Sequence, residues 1–162
     1  MSESSRLFLW LPILAVSVHL VEEFVWPGGF AAWYRWYHPA RAASVTARFL
    51  VITNAVLVAV ALLPPLLGST PRGLALWLVV ATIGAANAVF HLWATVRRKR
   101  YSPGVLTGTA VYLPLLVFGW RELVASGGVS PGTTLEAVAI GIGYHVWSAW
   151  NHSRRAAAHS VN

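Results

Sequence analysis

The sequence predicts an all-α integral membrane protein, a bundle of five transmembrane helices forming one domain over residues 1–162, and three observations predict it. Hydrophobic residues fill 57% of the positions and charged ones only 10%, whereas a soluble domain carries roughly 25% charged residues. Five long apolar runs follow one another, separated by short segments rich in Pro, Gly or Arg. A chain of 162 residues has room for about five spans of roughly 20 residues each and for no separate soluble domain.

The first span, residues 7–25, is too long for a signal peptide and lacks a small-residue cleavage site. Trp26-Pro27-Gly28-Gly29 breaks it, because Pro and paired Gly do not continue a helix cheaply. From Phe30 to Arg48, Trp33, Tyr34, Trp36 and Tyr37 are interleaved with Arg35, His38 and Arg41. That mixture suits an element lying on the lipid headgroups. The second span, 49–67, stops at Pro64-Pro65 and the turn Gly68 to Gly73, and the third, 74–96, stops at the basic block Arg97-Arg98-Lys99-Arg100. Tyr101-Ser102-Pro103-Gly104 turns the chain into the fourth span, 105–124, which Pro114 should kink. Thr133-Thr134-Leu135-Glu136 reads as a capping box opening the fifth span, 134–152, and assigns Glu136 to a helix cap. The polar tail from Ser153, His159 included, is expected to fray in solvent.

Five spans alternate sides, so the cationic residues can be sorted. Nine fall on one side (Arg35, Arg41, Arg48, the 97–100 block, Arg154 and Arg155) and three on the other (Arg6, Arg72 and Arg121). The positive-inside rule then places the N-terminus outside and the C-terminus in the cytoplasm of a multi-pass protein of the cell (inner, cytoplasmic) membrane. The same distribution accounts for the net charge of +7 as topology, so the lipid bilayer and not a nucleic acid is the expected partner.

Chemistry concentrates in His19-Leu20-Val21-Glu22-Glu23. The chain has five acidic residues and no Asp, and two of the five stand side by side in an apolar run. Ionisable groups at membrane depth mark functional sites. Residues three and four apart on a helix share a face, which brings His19 together with Glu22 and Glu23. Asn87 and His91 late in the third span, His145 late in the fifth and Asn54 early in the second fall at the same depth, near the cytoplasmic surface. Cys is absent, so a metal must be held by imidazole, carboxylate, amide or water. The expected ligands are His19, Glu22, Glu23, His91 and His145 around Zn, Fe or Mn, with Glu22 and Glu23 also the candidate catalytic groups. Asn87 and Asn54 are expected to orient the ligands from behind.

His19-Leu-Val-Glu-Glu23, then Asn87-Ala-Val-Phe-His91, then Tyr101-Ser-Pro-Gly104 together resemble the HXXEE-domain family of bacterial multi-pass membrane proteins. The resemblance implies that His19, Glu22, Glu23, Asn87 and His91 are the functional residues, and it implies no reaction.

These residues fit a metal-dependent membrane enzyme, of hydrolase or oxidoreductase type, acting on a lipophilic small molecule. The alternatives are a metal-free acid–base isomerase of sterol-isomerase-like architecture and a non-catalytic binding or transport protein whose polar cluster cross-links helices. Among nine Trp, Trp10, Trp26, Trp33, Trp36, Trp77 and Trp120 are expected in the interfacial aromatic belt. Trp93, Trp147 and Trp150 are expected to line a pocket. Gly84, Ala85, Ala86, Gly141 and Gly143 are expected to bring the third and fifth helices close.

Overall fold

The computed structural model describes the backbone of residues 3–159 and the side chains of 7–158; the side chains of Arg6 and His159 lie outside the described residues. The described chain is helical throughout: α1 Glu3–Phe24, α2 Phe30–Tyr37, a 3-10 turn Pro39–Ser44, α3 Ala47–Leu67, α4 Pro71–Arg98, α5 Val105–Thr107, a π-helical stretch Gly108–Tyr112, α6 Leu113–Gly119, a second π-helical stretch Trp120–Ala125, and α7 Pro131–His159.

Among the described residues three helices, α1, α3 and α4, are long and apolar enough to cross a membrane, not the five expected. Two causes separate the remaining pair from that standard. The run 105–125 is helical but divided: Pro114 has no N–H to give, and its ring collides with the carbonyl of Ala110, so the preceding turn widens into a π-helix. The 29 residues of α7 are long enough, yet Gly141, Gly143, His145, Ser148, Asn151 and His152 dilute its apolar content.

Local hydrogen bonds decide the helix ends, and the end of α3 at Leu67 is the one expected. Pro64 and Pro65 sit inside α3, which continues to Gly68, whose φ of 65° is the left-handed setting that stops the helix and whose N–H bonds Pro64 O at 3.0 Å. The Ser130 hydroxyl accepts from Thr133 N–H at 3.2 Å and Pro131 opens α7, so that helix starts ahead of the predicted capping box and leaves Glu136 exposed. At its far end α7 runs on to His159 where a frayed tail was expected.

α4 is the hub. Of its apolar window 56% is buried, against 11% for α3, so α3 is the peripheral helix and turns most of its surface outward. Trp77 is fully buried: its ring stacks on Phe8 at 4.5 Å, its indole N–H donates to Phe8 O at 2.9 Å, and Gly119 leaves room for the ring. Gly84 admits the Tyr112 ring from the 105–125 run, whereas Gly141 packs on Thr82 and so does join α7 to α4. Gly143 faces open space. Tryptophan roles are partly inverted: Trp33 and Trp77 are core, while Trp93, Trp147 and Trp150 are exposed and line no part of the main cavity.

The aromatic–cationic segment folds back across the bundle end where α1, α4 and α7 finish. Trp33, Tyr34 and Tyr37 of α2 form a second small core with Val45 and Ala94, and Phe90 and Leu50 pack against it. On its outer side Trp36 carries the Arg100 guanidinium 4.5 Å above its ring, a cation–π contact at the surface.

Candidate metal centre

Adjacent carboxylates on a helix point about 100° apart, and α1 uses that divergence to send Glu22 and Glu23 to different partners. Both side chains are buried, as are His19 and His91. Charged groups in such surroundings must be satisfied by partners, and each carboxylate finds a different solution.

Glu22 faces the start of the 105–125 run. Its Oε1 accepts from the Tyr101 hydroxyl at 2.6 Å, Gly104 N–H at 2.9 Å and Leu106 N–H at 3.0 Å; its Oε2 accepts from Thr107 N–H at 2.7 Å and from the Thr107 hydroxyl. A carboxylate from another helix thus caps α5, taking up N–H groups that a helix start leaves unpaired and lying at the positive end of the helix dipole. The tyrosine is affected in return: burial first, then the Glu22 carboxylate, pushes the Tyr101 phenol above its ordinary value of 10.

Glu23 faces the bundle interior. Its Oε1 lies 3.4 Å from His19 Nε2 and 3.1 Å from His91 Nε2, and the three ligand atoms fall within 4.8 Å of one another. The His19 ring is oriented from behind, because the Thr107 hydroxyl spends its only proton on Glu22 and so accepts from His19 Nδ1–H at 2.8 Å. That leaves the Nε2 lone pair of His19 turned toward Glu23, where Asn87 Nδ2 donates to it at 2.9 Å. His91 is oriented likewise through Nδ1, 2.8 Å from Ser102 Oγ. Its Nε2 is fully buried, faces Glu23 and makes no hydrogen bond of acceptable direction. Gly104 leaves room for both rings, since a Cβ there would come 2.8 Å from His19 Cε1 and 2.9 Å from His91 Nε2, and its φ of 103° disfavours any side chain.

Two expected ligands stand outside the cluster. Glu22 has both oxygens occupied at the α5 cap. His145 lines the same cavity but turns its Nε2 to the Ile83 carbonyl at 2.9 Å, a bond in which the imidazole N–H donates. Asn54 is on the cavity wall from α3, and Asn87 touches the ligand atom of His19 directly instead of standing behind it. Tyr101, Ser102, Gly104 and Thr107 hold the site together without having been singled out as site residues. The one signal for them was the turn Tyr101–Gly104 recurring with the His and Glu motifs.

The cluster opens on a cavity of about 380 Å³ reaching from His19, Glu23 and Asn87 to His38, Arg41 and His152. Burial, then the charges of Arg41 and Arg98, hold His38 below the ordinary imidazole value of 6.5.

No curated protein and no solved structure matches the chain. Residues 10–118 match the model of a family described as a protein of unknown function with HXXEE motif. That stretch contains the His19–Glu23–His91 cluster, Glu22 and the whole Tyr101–Thr107 support, and it ends before His145. Matched over more than half its length and carrying the motif as His19-Leu20-Val21-Glu22-Glu23, the chain belongs to the HXXEE family.

Proposed function

We propose that this single-domain protein is a membrane-embedded, metal-dependent enzyme, of hydrolase or oxidoreductase type, in which His19, Glu23 and His91 hold a divalent metal next to a lipophilic substrate. The observation that carries the reading is the buried His91 Nε2, 3.1 Å from a carboxylate oxygen and without a directed hydrogen bond. A cation between these atoms resolves the mismatch. Two imidazoles and one carboxylate suit Zn, Fe or Mn where no thiolate is offered. When bound, such an ion supplies Lewis-acid activation of water or a carbonyl, or redox chemistry if it is iron.

The chain's own residues supply the rest. Thr107 and Ser102 fix the two rings with a nitrogen each toward Glu23, as partners behind metal ligands do. Asn87 lines the cavity beside His19, and with a metal on His19 Nε2 its amide would be left to orient a substrate. The 105–125 run and α7 complete a five-span bundle in the cell membrane, N-terminus outside, with the cluster in the cytoplasmic leaflet.

Elemental analysis of the purified protein tests the proposal. One Zn, Fe or Mn per chain is expected, lost in Glu23→Gln and His91→Ala. A metal-free protein whose activity on a lipid survives exhaustive chelation defeats it and favours the second reading, an acid–base isomerase, for which Glu23 between two imidazoles is the supporting observation.

A further inference from the structure

The cavity does not end at the ligand cluster. Its volume, about 380 Å³, falls within the roughly 300–1,000 Å³ of small-molecule sites. Beyond Glu23 its wall is mostly apolar, formed in part by Leu20, Phe30 and Leu57 with Asn54 and Ser148 among them, and at the end closed by α2, the 3-10 turn and the last turns of α7 three basic side chains line it: His38, Arg41 and His152.

This basic end differs from the cationic loops around it. Arg48 and the Arg97–Arg100 block are exposed, whereas Arg41 is half-buried on the cavity wall and His152 is buried. Arg41 lies against the Tyr34 phenol and pairs with no carboxylate; among the described residues the salt bridges seen are those of Glu23 with His19 and His91. The turn that carries Arg41 is tied down. The Ser44 hydroxyl donates to Arg41 O at 2.7 Å and accepts from His152 Nδ1–H at 2.6 Å, which leaves the other ring nitrogen of His152 unused by that bond. His152 is held from both sides by Tyr34 and Phe49, with ring centroids 5.1 and 4.8 Å away. A guanidinium with no counter-charge among the described residues, flanked by two imidazoles that an anion would encourage to take a proton, is a receptor for a carboxylate or phosphate.

We infer that the cavity binds an amphiphile with an anionic head, Arg41 receiving the carboxylate or phosphate with His38 and His152, and the apolar body running past Phe30 and Leu57 toward His19, Glu23 and His91. The inference rests on reading the cavity as the substrate chamber proposed above and narrows that substrate from lipophilic to acidic and lipophilic. The reactive position is then displaced from the head and lies along the apolar body, next to the cluster.

The full chain in zwitterionic nanodiscs, titrated with dodecyl phosphate, dodecanoate, dodecanol and inorganic phosphate while tryptophan emission is followed, tests it. One or both alkyl anions are expected to bind at least tenfold tighter than dodecanol, and the stronger of the two identifies the head. Arg41→Gln should abolish that preference while leaving dodecanol binding intact, and Arg48→Gln, on an exposed cation, should leave it unchanged. Equal binding of dodecanol, an equal loss in Arg48→Gln, or inorganic phosphate binding as tightly as dodecyl phosphate overturns the inference. If Arg41→Gln no longer binds dodecanol either, Arg41→Lys decides: a weakened preference for anions with dodecanol binding retained supports the site, and an unchanged preference refutes it. Metal content measured on the same samples separates the two ideas. A metal-free protein with an Arg41-dependent preference for anions loses the metal reading alone, and a metal-loaded protein indifferent to the head group loses this one alone.

Discussion

Glu22 and Glu23 are neighbours in sequence with separate roles, for one carboxylate takes five hydrogen bonds at the start of α5, and the other stands between two imidazoles with its Oε1 3.1 Å from His91. Their substitutions should therefore fail differently. Glu22→Gln keeps one accepting oxygen and turns the other into an NH2, so at least two of the five donors lose their acceptor, each worth about 1 to 3 kcal/mol, and stability should fall by about 2 kcal/mol or more in thermal or denaturant unfolding. Glu23→Gln should cost less stability and lose the metal. Equal stability losses in the two variants would mean that the carboxylates act alike.

Gly104→Ala tests the spacing between the rings. The added methyl meets His19 and His91 and is placed on a backbone with φ 103°, where strain alone costs roughly 1 to 3 kcal/mol. Reduced metal content in protein that still migrates as a folded species is expected, and wild-type metal content in that variant would show that the loop gives way.

His145→Ala should leave metal stoichiometry unchanged, because its imidazole N–H is committed to the Ile83 carbonyl. Loss of metal in this variant, with the fold intact, would put His145 back among the ligands.

His38 supplies a pH signature. Half-buried next to Arg41 and Arg98, it takes up a proton less readily in the folded protein than in the unfolded chain, whose value is near 6.5. Below that pH the unfolded state holds more protons, so the contribution is fully present above about pH 6.5 and is lost as pH falls through the lower folded value. Melting curves from pH 7.5 to 5 should show wild type losing its advantage over His38→Asn as the solution is acidified. An advantage that grows on acidification contradicts the sign.

Orientation is testable independently of chemistry. A phosphatase fused after residue 162 should be inactive if the C-terminus is cytoplasmic; an active fusion reverses the proposed topology.

Much of the site was legible because ionisable groups in apolar runs are conspicuous. His19, Glu23 and His91 stand out for that reason; helical periodicity put His19 and Glu23 on one face, and position within the expected spans put His91 level with them. Periodicity does not say which of two adjacent carboxylates faces inward. The answer lay in Thr107 and the N–H groups of the 104–107 turn, whose ability to compete for Glu22 comes from tertiary placement. His145 shared the right depth, but the nearest acceptor on α4 claimed its proton. Three spans were readable from continuous apolar composition. The 105–125 run and α7 do not meet that standard, because Pro114 and the glycines and polar residues of α7 alter how a helix of adequate length is built. Trp77 was misplaced for a related reason: an indole near a helix end is interfacial unless a carbonyl, here Phe8, meets its N–H inside.

α7 gives the chamber a wall in Tyr144, His145 and Ser148 but contributes none of the three clustered atoms. Part of the wall is thereby carried on a stretch of chain that the cluster does not use, so that part can drift while the three clustered side chains are kept. Trimming Tyr144 or Ser148 would enlarge the chamber while His19, Glu23 and His91 keep the contacts they make with Thr107, Asn87 and Ser102.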